Sequence, residues 1–480
     1  MVGNLDRDYA GVRSHIGELM KRDWQGKKVV VIGAARQGLA ASRYLARMSA
    51  SIILTDSRSP SEFGDLAKHF SGLTIELKLG GHPMEILNDA DMVCVSGGVP
   101  LTIPLIQEAL RRGIPLTNDS QLFMEEVDAK VIGITGSAGK TTTTILTGAI
   151  AKAAVEPKGK VWVGGNIGYP MIEHLEEIHA QDWVVHEFSS FHLEQMTISP
   201  HIAVITNITL NHLDRHKTMP AYTAAKTRIL DFQNPQDFAV LNHDDSGSYN
   251  LRGKAAGSLL TFGFNKPEGK SRGIFLGDES FMLFNGQNEK KLFSASALRL
   301  PGRHNLANAM AACAASLAAG FSVEAMRMGI SSVEGIPHRL ELVKVFNGIR
   351  WINDSIATTP ERVMAAMCAL EGPLVMLLGG RDKDLPWENL ATLLHEMHPK
   401  VVLFGEAGSL INTALKKYEG ISPSYPIFQV KTLEEAVKKA ADIAETDESV
   451  LLSPGGTSYD AYRDFEERGE HFRNLVKAMA

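Results

Sequence analysis

The 480-residue sequence contains only three cysteines, and their positions exclude two common kinds of site. Cys94, Cys313 and Cys368 lie far apart, without the paired spacing of a disulfide framework or a structural zinc site. Few and widely spaced cysteines predict a protein of a reducing, cytoplasmic compartment. Positive charge is not in excess either: the formal net charge of −6 provides no basic surface, so we expect no nucleic-acid partner.

Long hydrophobic runs are also missing. The first 28 residues carry charges throughout and contain no apolar core, which is unlike a signal peptide. Residues 305–323 form the longest stretch without a charge, but alanine and small polar residues dominate it, so it predicts a buried helix. We therefore expect no membrane insertion. The chain length corresponds to about three domains.

A glycine-rich loop of the kind that binds phosphate is present. In VIGITGSAGKTTTT, residues 131–144, an apolar strand leads to Gly136 and Gly139, and Lys140 follows directly. Small residues let backbone N–H groups point at phosphates, the lysine can reach the β and γ oxygens, and the Thr141 hydroxyl can bind Mg²⁺. A glycine-rich turn without a ligand is the alternative.

The spacing of this loop departs from the generic pattern Gly-x4-Gly-Lys. Gly133 lies one residue too early, and Ile134 stands where the pattern requires the first glycine. A strict search for the pattern would therefore miss the loop. The apolar strand before it and the Gly-Lys-Thr run within it nevertheless favour a bound nucleoside triphosphate.

Three segments of the chain alternate short apolar strands with amphipathic helices, the pattern of parallel α/β layers. The first opens with a strand, a turn (Gly33-x4-Gly38), a helix and a second strand that ends at Asp56. Because the turn lacks the full Gly-x-Gly-x-x-Gly pattern, it is a weak dinucleotide signal, although it favours a nucleotide diphosphate over no ligand. We predict an α/β fold with a Rossmann-like N-terminal domain over residues 1–128.

The other two segments predict two further domains. Residues 129–336 form a central P-loop domain, in which residues 245–300 predict an antiparallel patch and LPGRHNLANAMAACAA predicts the start of a helix. Pro337 is expected to break the preceding helix at a hinge. Residues 337–480 predict a Rossmann-like C-terminal domain whose strands end in glycine or polar turns, where open parallel sheets place ligands.

Three side chains of the central segment are candidates for metal and phosphate chemistry. Glu187 closes the apolar strand DWVVHEF, where a carboxylate can hold Mg²⁺, although a solvated strand-end glutamate is the alternative. His212 follows another apolar strand among polar residues, but a histidine of a surface turn would look the same. Lys226 lies in the helix AYTAAKTRIL, and the residues alone favour an ordinary lysine with a solvated amine.

The third segment offers a pair of charges and a polar turn. Asp354 and Lys383 each follow an apolar strand, which brings opposite charges to one sheet edge, and an ion pair without a ligand explains them equally well. Residues 455–460, GGTSYD, supply small residues, hydroxyls and backbone donors suited to a small carboxylate. A plain turn is equally compatible with them.

Taken in order, these segments resemble the Mur ligases, the ATP-dependent amide-forming enzymes of peptidoglycan precursor synthesis. The resemblance covers nearly the whole chain and lies in GITGSAGKTT, GGNIG, EFSSFHLE, NHLDRH, AAKTRIL, HNLANAMAA, PHRLE, NDSIATT and LLGGRDK. It is strongest to the members that add glutamate to UDP-N-acetylmuramoyl-L-alanine. It implies one domain each for the UDP-sugar, ATP and the incoming amino acid, with these small molecules as partners of a monomer.

The resemblance also implies the roles of individual residues. The ATP contacts are Gly136, Ser137, Gly139, Lys140, Thr141, Thr142, Asn305, Arg339 and Asp354. The ligands of two Mg²⁺ ions are Thr141, Glu187, His212 and Lys226, the last as a carbamate formed with CO2, which reverses the interpretation of an ordinary lysine. The substrate contacts are Asp56, Ser57 and Arg58 for uridine, Asn166 for the muramoyl group, and Thr358, Lys383, Ser458, Tyr459 and Phe465 for glutamate. Lys140, His212 and Lys226 are the implied catalytic residues.

The implied reaction transfers the γ-phosphate of ATP to the terminal carboxylate of the UDP-sugar, and the glutamate amine then attacks the acyl phosphate. Magnesium and Lys140 would neutralise the charge that develops on the phosphoryl group. Closure of the third domain is expected to assemble the site.

Two positions depart from the family pattern. Ile356 stands where many members have a lysine, and Asn211 stands where an acidic residue often precedes the histidine. The resemblance points to D-glutamate, while Ile356 keeps an L-glutamate-adding relative as an alternative. A folylpolyglutamate synthase would not explain the N-terminal Rossmann-like domain, and a P-loop kinase or regulator would not explain the motifs of the third domain.

Overall fold

The computed structural model describes residues 22–63, 66–209, 216–382, 385–417 and 424–479. The chain divides into two compact units, residues 1–333 and residues 334–480, and each is described by itself. The first unit contains two sheets and the second contains one. The predicted α/β class with three sheet-bearing domains is confirmed.

The first sheet has five parallel strands in the order β3, β2, β1, β4, β5. Its strands and helices are β1 (Lys28–Ile32), α1 (Arg36–Arg47), β2 (Ser51–Asp56), β3 (Ile75–Leu79), β4 (Met92–Val95), α2 (Pro104–Arg111), β5 (Leu116–Thr117) and α3 (Asp119–Glu126). The valines and isoleucine of β1 are fully buried, as expected for a parallel strand covered on both faces. Because β1 pairs with β2 and β4, the glycine turn, Asp56 and Ser96 leave the sheet at the same edge.

The second sheet has nine strands in the order β14, β13, β12, β11, β10, β9, β6, β8, β7. The elements of this part are β6 (Lys130–Thr135), α4 (Lys140–Val155), β7 (Val161–Gly165), β8 (Trp183–Glu187), α5 (Ser190–Leu193), β9 (Ile202–Ile205), α6 (Met219–Asp231), β10 (Phe238–Asn242), α7 (Ser246–Tyr249), β11 (Ser258–Gly263), β12 (Arg272–Gly277), β13 (Ser280–Phe284), β14 (Glu289–Ser294), α8 (Arg303–Ala318) and α9 (Val323–Ser332). Strand β6 lies between β8 and β9, and all three are parallel. Their carboxyl ends therefore bring the phosphate loop, Glu187 and Thr206 together.

Gly133 lies inside β6 at a point where a side chain has no room. A Cβ at this position would lie 2.5 Å from Pro200 Cγ and 2.8 Å from Phe188 Cε2. The residue pairs with both neighbouring strands, so its backbone cannot move aside without disturbing the sheet. Its smallness serves the packing of the strand, and the phosphate loop begins only after Thr135.

The antiparallel patch predicted for residues 245–300 is only partly correct. Strands β13 and β14 are antiparallel to their neighbours, whereas β11 and β12 continue the parallel sheet. The predicted Ala-rich helix is confirmed as α8, whose alanines are buried against the sheet and α4. Among the described residues, no helix is both long and apolar enough to cross a membrane.

The third sheet has six strands in the order β15, β16, β20, β17, β18, β19. Its unit contains β15 (Glu341–Phe346), β16 (Ile349–Asn353), α10 (Pro360–Cys368), β17 (Leu374–Gly379), α11 (Glu388–Met397), β18 (Lys400–Phe404), α12 (Gly408–Lys417), β19 (Ile427–Gln429), α13 (Leu433–Ile443), β20 (Ser449–Gly455) and α14 (Phe465–Lys477). All strand pairs are parallel except β15 with β16. The loops after β16, β17 and β20 consequently meet at one edge.

The prediction that Pro337 ends the preceding helix is wrong. Helix α9 already ends at Ser332, because Val333 takes up an extended conformation. Pro337 instead precedes a tight turn in which His338 and Leu340 have φ angles of 61° and 44°. The proline therefore lies in the connection and not at the helix terminus.

Candidate active site

The phosphate loop crosses from β6 to α4 through two glycines with positive φ, 152° at Gly136 and 81° at Gly139. A Cβ at Gly136 would collide with Thr206 Oγ1, and one at Gly139 would collide with Asn308 Oδ1. Both conformation and close packing therefore demand glycine. Helix α4 starts at Lys140, so its N-terminal N–H groups and its positive dipole end face the loop.

Neighbouring side chains hold this loop in place. Asn207 Oδ1 accepts a hydrogen bond from Ala138 N at 2.9 Å, and Thr206 Oγ1 donates to Ala138 O at 2.6 Å. Tyr222 Oη donates to Ser137 Oγ at 3.1 Å. Because these bonds fix the loop without using up its glycine N–H groups, the loop is organised in advance for an anion.

Lys140 bends back over its own loop. Its Nζ donates to the carbonyl oxygens of Gly136 and Ser137 at 2.9 and 3.3 Å. Thr142 follows inside α4 and is buried, with 1% of its surface exposed. The ammonium of Lys140 thus lies at the mouth of the loop, where a phosphate can reach it.

A carboxylate faces the start of α4. Glu187, at the end of β8, is 1% exposed and accepts hydrogen bonds from Thr141 Oγ1 at 3.0 Å and from Asn166 Nδ2 at 2.8 Å. Hydroxyl and carboxylate oxygens are the ligands that Mg²⁺ prefers. The donor set around Thr141 and Glu187 therefore fits this ion, although the described residues contain no cluster of three or more His, Cys, Asp or Glu side chains.

Lys226 is buried on α6, with 1% of its surface exposed. Its Nζ donates to Gly136 O at 2.9 Å and to Thr135 Oγ1 at 3.3 Å. Burial first, and the nearby Lys140 charge second, push the pKa of this amine well below its usual value, while Glu187 opposes them. The interpretation that the residues alone favoured, a lysine with a solvated amine, is wrong.

Two predicted site residues, His212 and Lys383, lie outside the described residues. Asn305 is described, at the start of α8, where its Nδ2 donates to Pro301 O at 2.7 Å. Asn308, one turn further on, contacts both Asn305 and Thr143 Oγ1 and was not predicted from the sequence. Its place three residues after Asn305 in the same helix was the available signal.

The predicted uridine contacts lie at the edge of the first sheet. Asp56 accepts hydrogen bonds from Ala34 N at 2.7 Å and from Arg58 Nη2 at 2.8 Å. These bonds outweigh the effect of burial and lower the pKa of the Asp56 carboxyl. Ser57 stands between Asp56 and Arg58 in the chain, and its side chain is exposed. The carboxylate therefore fixes the glycine turn against β2.

His192 is a further candidate site residue, which was not predicted from the sequence. It is 1% exposed, its Nε2 lies 2.5 Å from Gln37 Nε2, and its carbonyl accepts a hydrogen bond from Asn118 Nδ2 at 2.9 Å. Burial lowers the pKa of its imidazole, which keeps the ring neutral at pH 7. His192 thus links the edge of the first sheet to the strand end that carries Glu187. Its only sequence signal was a polar residue inside the motif EFSSFHLE.

The second unit brings most of the other predicted residues to one sheet edge. Asp354 is buried and accepts hydrogen bonds from Ser453 Oγ at 2.8 Å and Leu340 N at 3.2 Å. Burial raises the pKa of this carboxyl to about 6, although the two hydrogen bonds and the charges of Arg339 and Arg362 oppose the shift.

The predicted amino-acid contacts follow strands of the same sheet. Ser458 is buried in the loop after β20, and Phe465 begins α14. Thr358, in the loop after β16, is half-buried. Tyr459 is 58% exposed and is the most open of these residues.

Three family models match consecutive parts of the chain. Residues 27–118 match the MurD-like N-terminal domain of Mur ligases, residues 134–316 match the Mur ligase middle domain, and residues 338–456 match the glutamate ligase domain of Mur ligases.

Two relatives that match over nearly their whole length carry the same name. The UDP-N-acetylmuramoylalanine–D-glutamate ligase of Symbiobacterium thermophilum is 38% identical, covering 95% of this chain and 98% of its own. The ligase of the same name from Pelotomaculum thermopropionicum is 36% identical, covering 96% of this chain and 99% of its own.

Solved structures share the fold. MurF of Acinetobacter baumannii has a TM-score of 0.58 at 22% identity, covering 88% of this chain and 92% of its own. The UDP-N-acetylmuramate-alanine ligase MurC of Thermotoga maritima has a TM-score of 0.57 at 20% identity, covering 94% and 99%.

The protein is an ATP-dependent ligase that forms amide bonds. This class is defined by its fold, by the phosphate loop with the carboxylate of Glu187 beside it, and by the matching family models and relatives. The full-length likeness then narrows the class: the chain belongs to the Mur ligase family.

Proposed function

We propose that the protein joins D-glutamate to UDP-N-acetylmuramoyl-L-alanine in cytoplasmic peptidoglycan precursor synthesis, with ATP converted to ADP and phosphate. The observation that carries this proposal is the convergence of Lys140, Thr141, Glu187 and Lys226 at one sheet edge, in a chain whose full-length relatives bear the name of this ligase. A carboxylate is a poor electrophile, so it must first be activated as an acyl phosphate. The amine then attacks this group, and the tetrahedral adduct expels phosphate.

Each part of the chain has its own task in this proposal. Residues 1–128 bind the UDP-sugar, with Asp56, Ser57 and Arg58 near the uridine. Residues 129–336 bind ATP through the phosphate loop, Asn305 and the charge of Lys140, and Asn166 contacts the muramoyl group. Residues 337–480 bind the amino acid, and Arg339 and Asp354 contact the nucleotide. We propose that the protein acts as a monomer.

Thr141 and Glu187 are the residues that would hold Mg²⁺, with His212 and Lys226 as further ligands. Their hydroxyl and carboxylate oxygens, 3.0 Å apart, suit a hard cation. Bound magnesium neutralises charge on a phosphoryl group in transfer. Lys140 adds its own positive charge at the mouth of the loop, where the γ-phosphate is expected.

Carbamylation of Lys226 is the part of the proposal that explains why a buried amine of α6 lies against an anion-binding loop. Burial and the charge of Lys140 favour the neutral amine, which is the form that attacks CO2. The amine nitrogen bonds to the carbon of CO2, one C–O π bond opens to give the carboxylate, and the proton passes to solvent, so the lysine becomes an anion. The carboxylate oxygens of this anion could then serve as metal ligands.

The incoming amino acid is proposed to contact Thr358, Lys383, Ser458, Tyr459 and Phe465. The names of the relatives support D-glutamate. One observation favours a second candidate, an L-glutamate-adding ligase: Ile356 places an apolar side chain in the loop after β16, where the family pattern implied by the resemblance has a lysine.

The experiment that tests the function measures phosphate release from ATP and Mg²⁺. Release should require both UDP-N-acetylmuramoyl-L-alanine and glutamate, and the mass of the product should increase by one glutamyl residue. Offering D- and L-glutamate separately distinguishes the two candidates. Phosphate release at full rate without either acceptor would refute the ligase and favour a simple P-loop ATPase or kinase.

A further inference from the structure

Arg468, on the second turn of α14, is completely buried, with 0% of its surface exposed. Buried arginines are normally paired with carboxylates. In the described part of the second unit, however, no ion pair joins Arg468 to a carboxylate; Asp460 and Tyr462 act only at longer range. Burial lowers the pKa of the guanidinium to about 10, so it stays charged at neutral pH. Burying such a cation costs free energy, which neutral hydrogen-bond partners must offset.

The hydrogen bonds of Arg468 lead to two loops. Its Nε donates to Ser355 Oγ at 3.0 Å and its Nη2 to Ser355 O at 2.9 Å, in the loop after β16. Its Nη1 donates to Gly456 O at 3.1 Å, in the loop after β20. A single planar group thus fixes the separation of two loops that are 101 residues apart in the chain, since 456 − 355 = 101.

Two more elements depend on the same group. Ser355 Oγ, which accepts from Arg468, donates in turn to Phe465 O at 2.8 Å and so holds the start of α14. The loop after β17 packs directly on the guanidinium at Gly380. A Cβ at this position would lie only 2.7 Å from Arg468 Nη1, so no side chain fits between them. Arg468 therefore contacts or ties together every loop that leaves this edge of the sheet from β16, β17 and β20.

We propose that Arg468 is a positioning residue for the incoming amino acid. Three of the elements that it contacts or supports carry described residues that are proposed to bind that substrate: Thr358 after β16, Ser458 after β20, and Phe465 at the start of α14. This inference rests on the proposed role of that sheet edge and goes beyond it by naming the group that sets the spacing of the loops. Arg468 itself, fully buried, acts through Ser355 and the two glycines.

A matched set of variants tests the proposal. Arg468→Lys keeps the charge but cannot donate to Ser355 and Gly456 in the same fork, and Ser355→Ala removes the hydroxyl that passes the contact on to Phe465. Arg473→Lys is the control, because Arg473 lies on the same helix but its partners, Glu341 and Glu470, belong to β15 and α14 rather than to these loops. Each variant is assayed for kcat and for the KM of all three substrates.

Both Arg468→Lys and Ser355→Ala should raise the KM for glutamate about tenfold or more, while the KM for ATP and for the UDP-sugar changes less than about twofold. Arg473→Lys should leave all three values near those of the unchanged protein. An unchanged KM for glutamate, or a rise of all three values together with a lower unfolding temperature, would show that Arg468 only stabilises the domain. If the unchanged protein used another amino acid, the proposed function would be refuted, and the same comparison with that amino acid would still decide the role of Arg468.

Discussion

Replacement of Lys226 separates the contribution of its side chain to folding from its contribution to the reaction. The amine is buried and donates to Gly136 O and Thr135 Oγ1. Lys226→Met preserves most of the volume and removes the amine, whereas Lys226→Ala also leaves a cavity. Both acceptors keep another partner after the change, because Lys140 Nζ still donates to Gly136 O and Thr135 Oγ1 itself donates to Phe188 O.

The expected magnitudes differ between the two variants. Lys226→Ala removes three methylenes, at about 0.8 kcal/mol each, and the cavity raises the loss of unfolding free energy to about 2–5 kcal/mol. Lys226→Met loses two hydrogen bonds of about 1 kcal/mol each, but it also removes an amine whose desolvation is unfavourable, so the net change should stay below about 1.5 kcal/mol.

Activity should fall about a hundredfold or more in both variants, because neither can form the carbamate. A short carboxylic acid such as formate should partly restore Lys226→Ala, in which the cavity can admit it, and should not restore Lys226→Met, in which the methionine fills the space. The assay combines phosphate release with the midpoint of chemical denaturation. Near-normal activity of Lys226→Met, or equal rescue of both variants, would refute the reasoning.

Three further perturbations test the site. Burial raises the pKa of Asp354 from 3.8 to about 6, so the contribution of its protonated carboxyl to stability is complete below about pH 4 and is lost as the pH rises through about 6. The denaturation midpoint should therefore fall between these pH values. Asp354→Asn should make the midpoint less dependent on pH over the same range. Gly139→Ala introduces strain of about 1–2 kcal/mol at φ 81° and a collision, so the KM for ATP should rise about tenfold, whereas Gly320→Ala, at φ 77° in open space, should leave it unchanged. Tyr222→Phe removes one hydrogen bond to the phosphate loop, worth about 1 kcal/mol, and should raise the same KM about fivefold; an unchanged value would show that the loop holds its shape alone.

The parts of the site that depend on residues close together in the chain could be predicted from the sequence. The strand, glycines and lysine of the phosphate loop are contiguous, and Glu187 ends a strand that the α/β pattern predicts to be parallel to β6, so both reach the same edge of the sheet. These local rules were sufficient to place Thr141 and Glu187 at one edge, where they lie 3.0 Å apart.

Residues whose environment comes from distant parts of the chain were not predictable in this way. Lys226 is buried because α6 turns this face toward the phosphate loop, whereas the residues alone favoured a solvated amine. Arg468 stands in DFEERGEHF, where its charged neighbours predict an exposed helix face, and only the meeting of three loops buries it. The parallel pairing of β11 with β12 likewise depends on sheet order, which strand composition does not encode.

Gly133 shows that packing inside a sheet can determine a residue that looks like part of a phosphate-binding motif. Its missing side chain leaves the space that Pro200 and Phe188 occupy. A side chain at position 133 would therefore need space from both Pro200 and Phe188, so a substitution there requires that one or both of these side chains move or become smaller. The early glycine that sets this loop apart from the generic phosphate-binding pattern thus serves the packing of the sheet, and that packing constrains position 133 whether or not the loop binds a nucleotide.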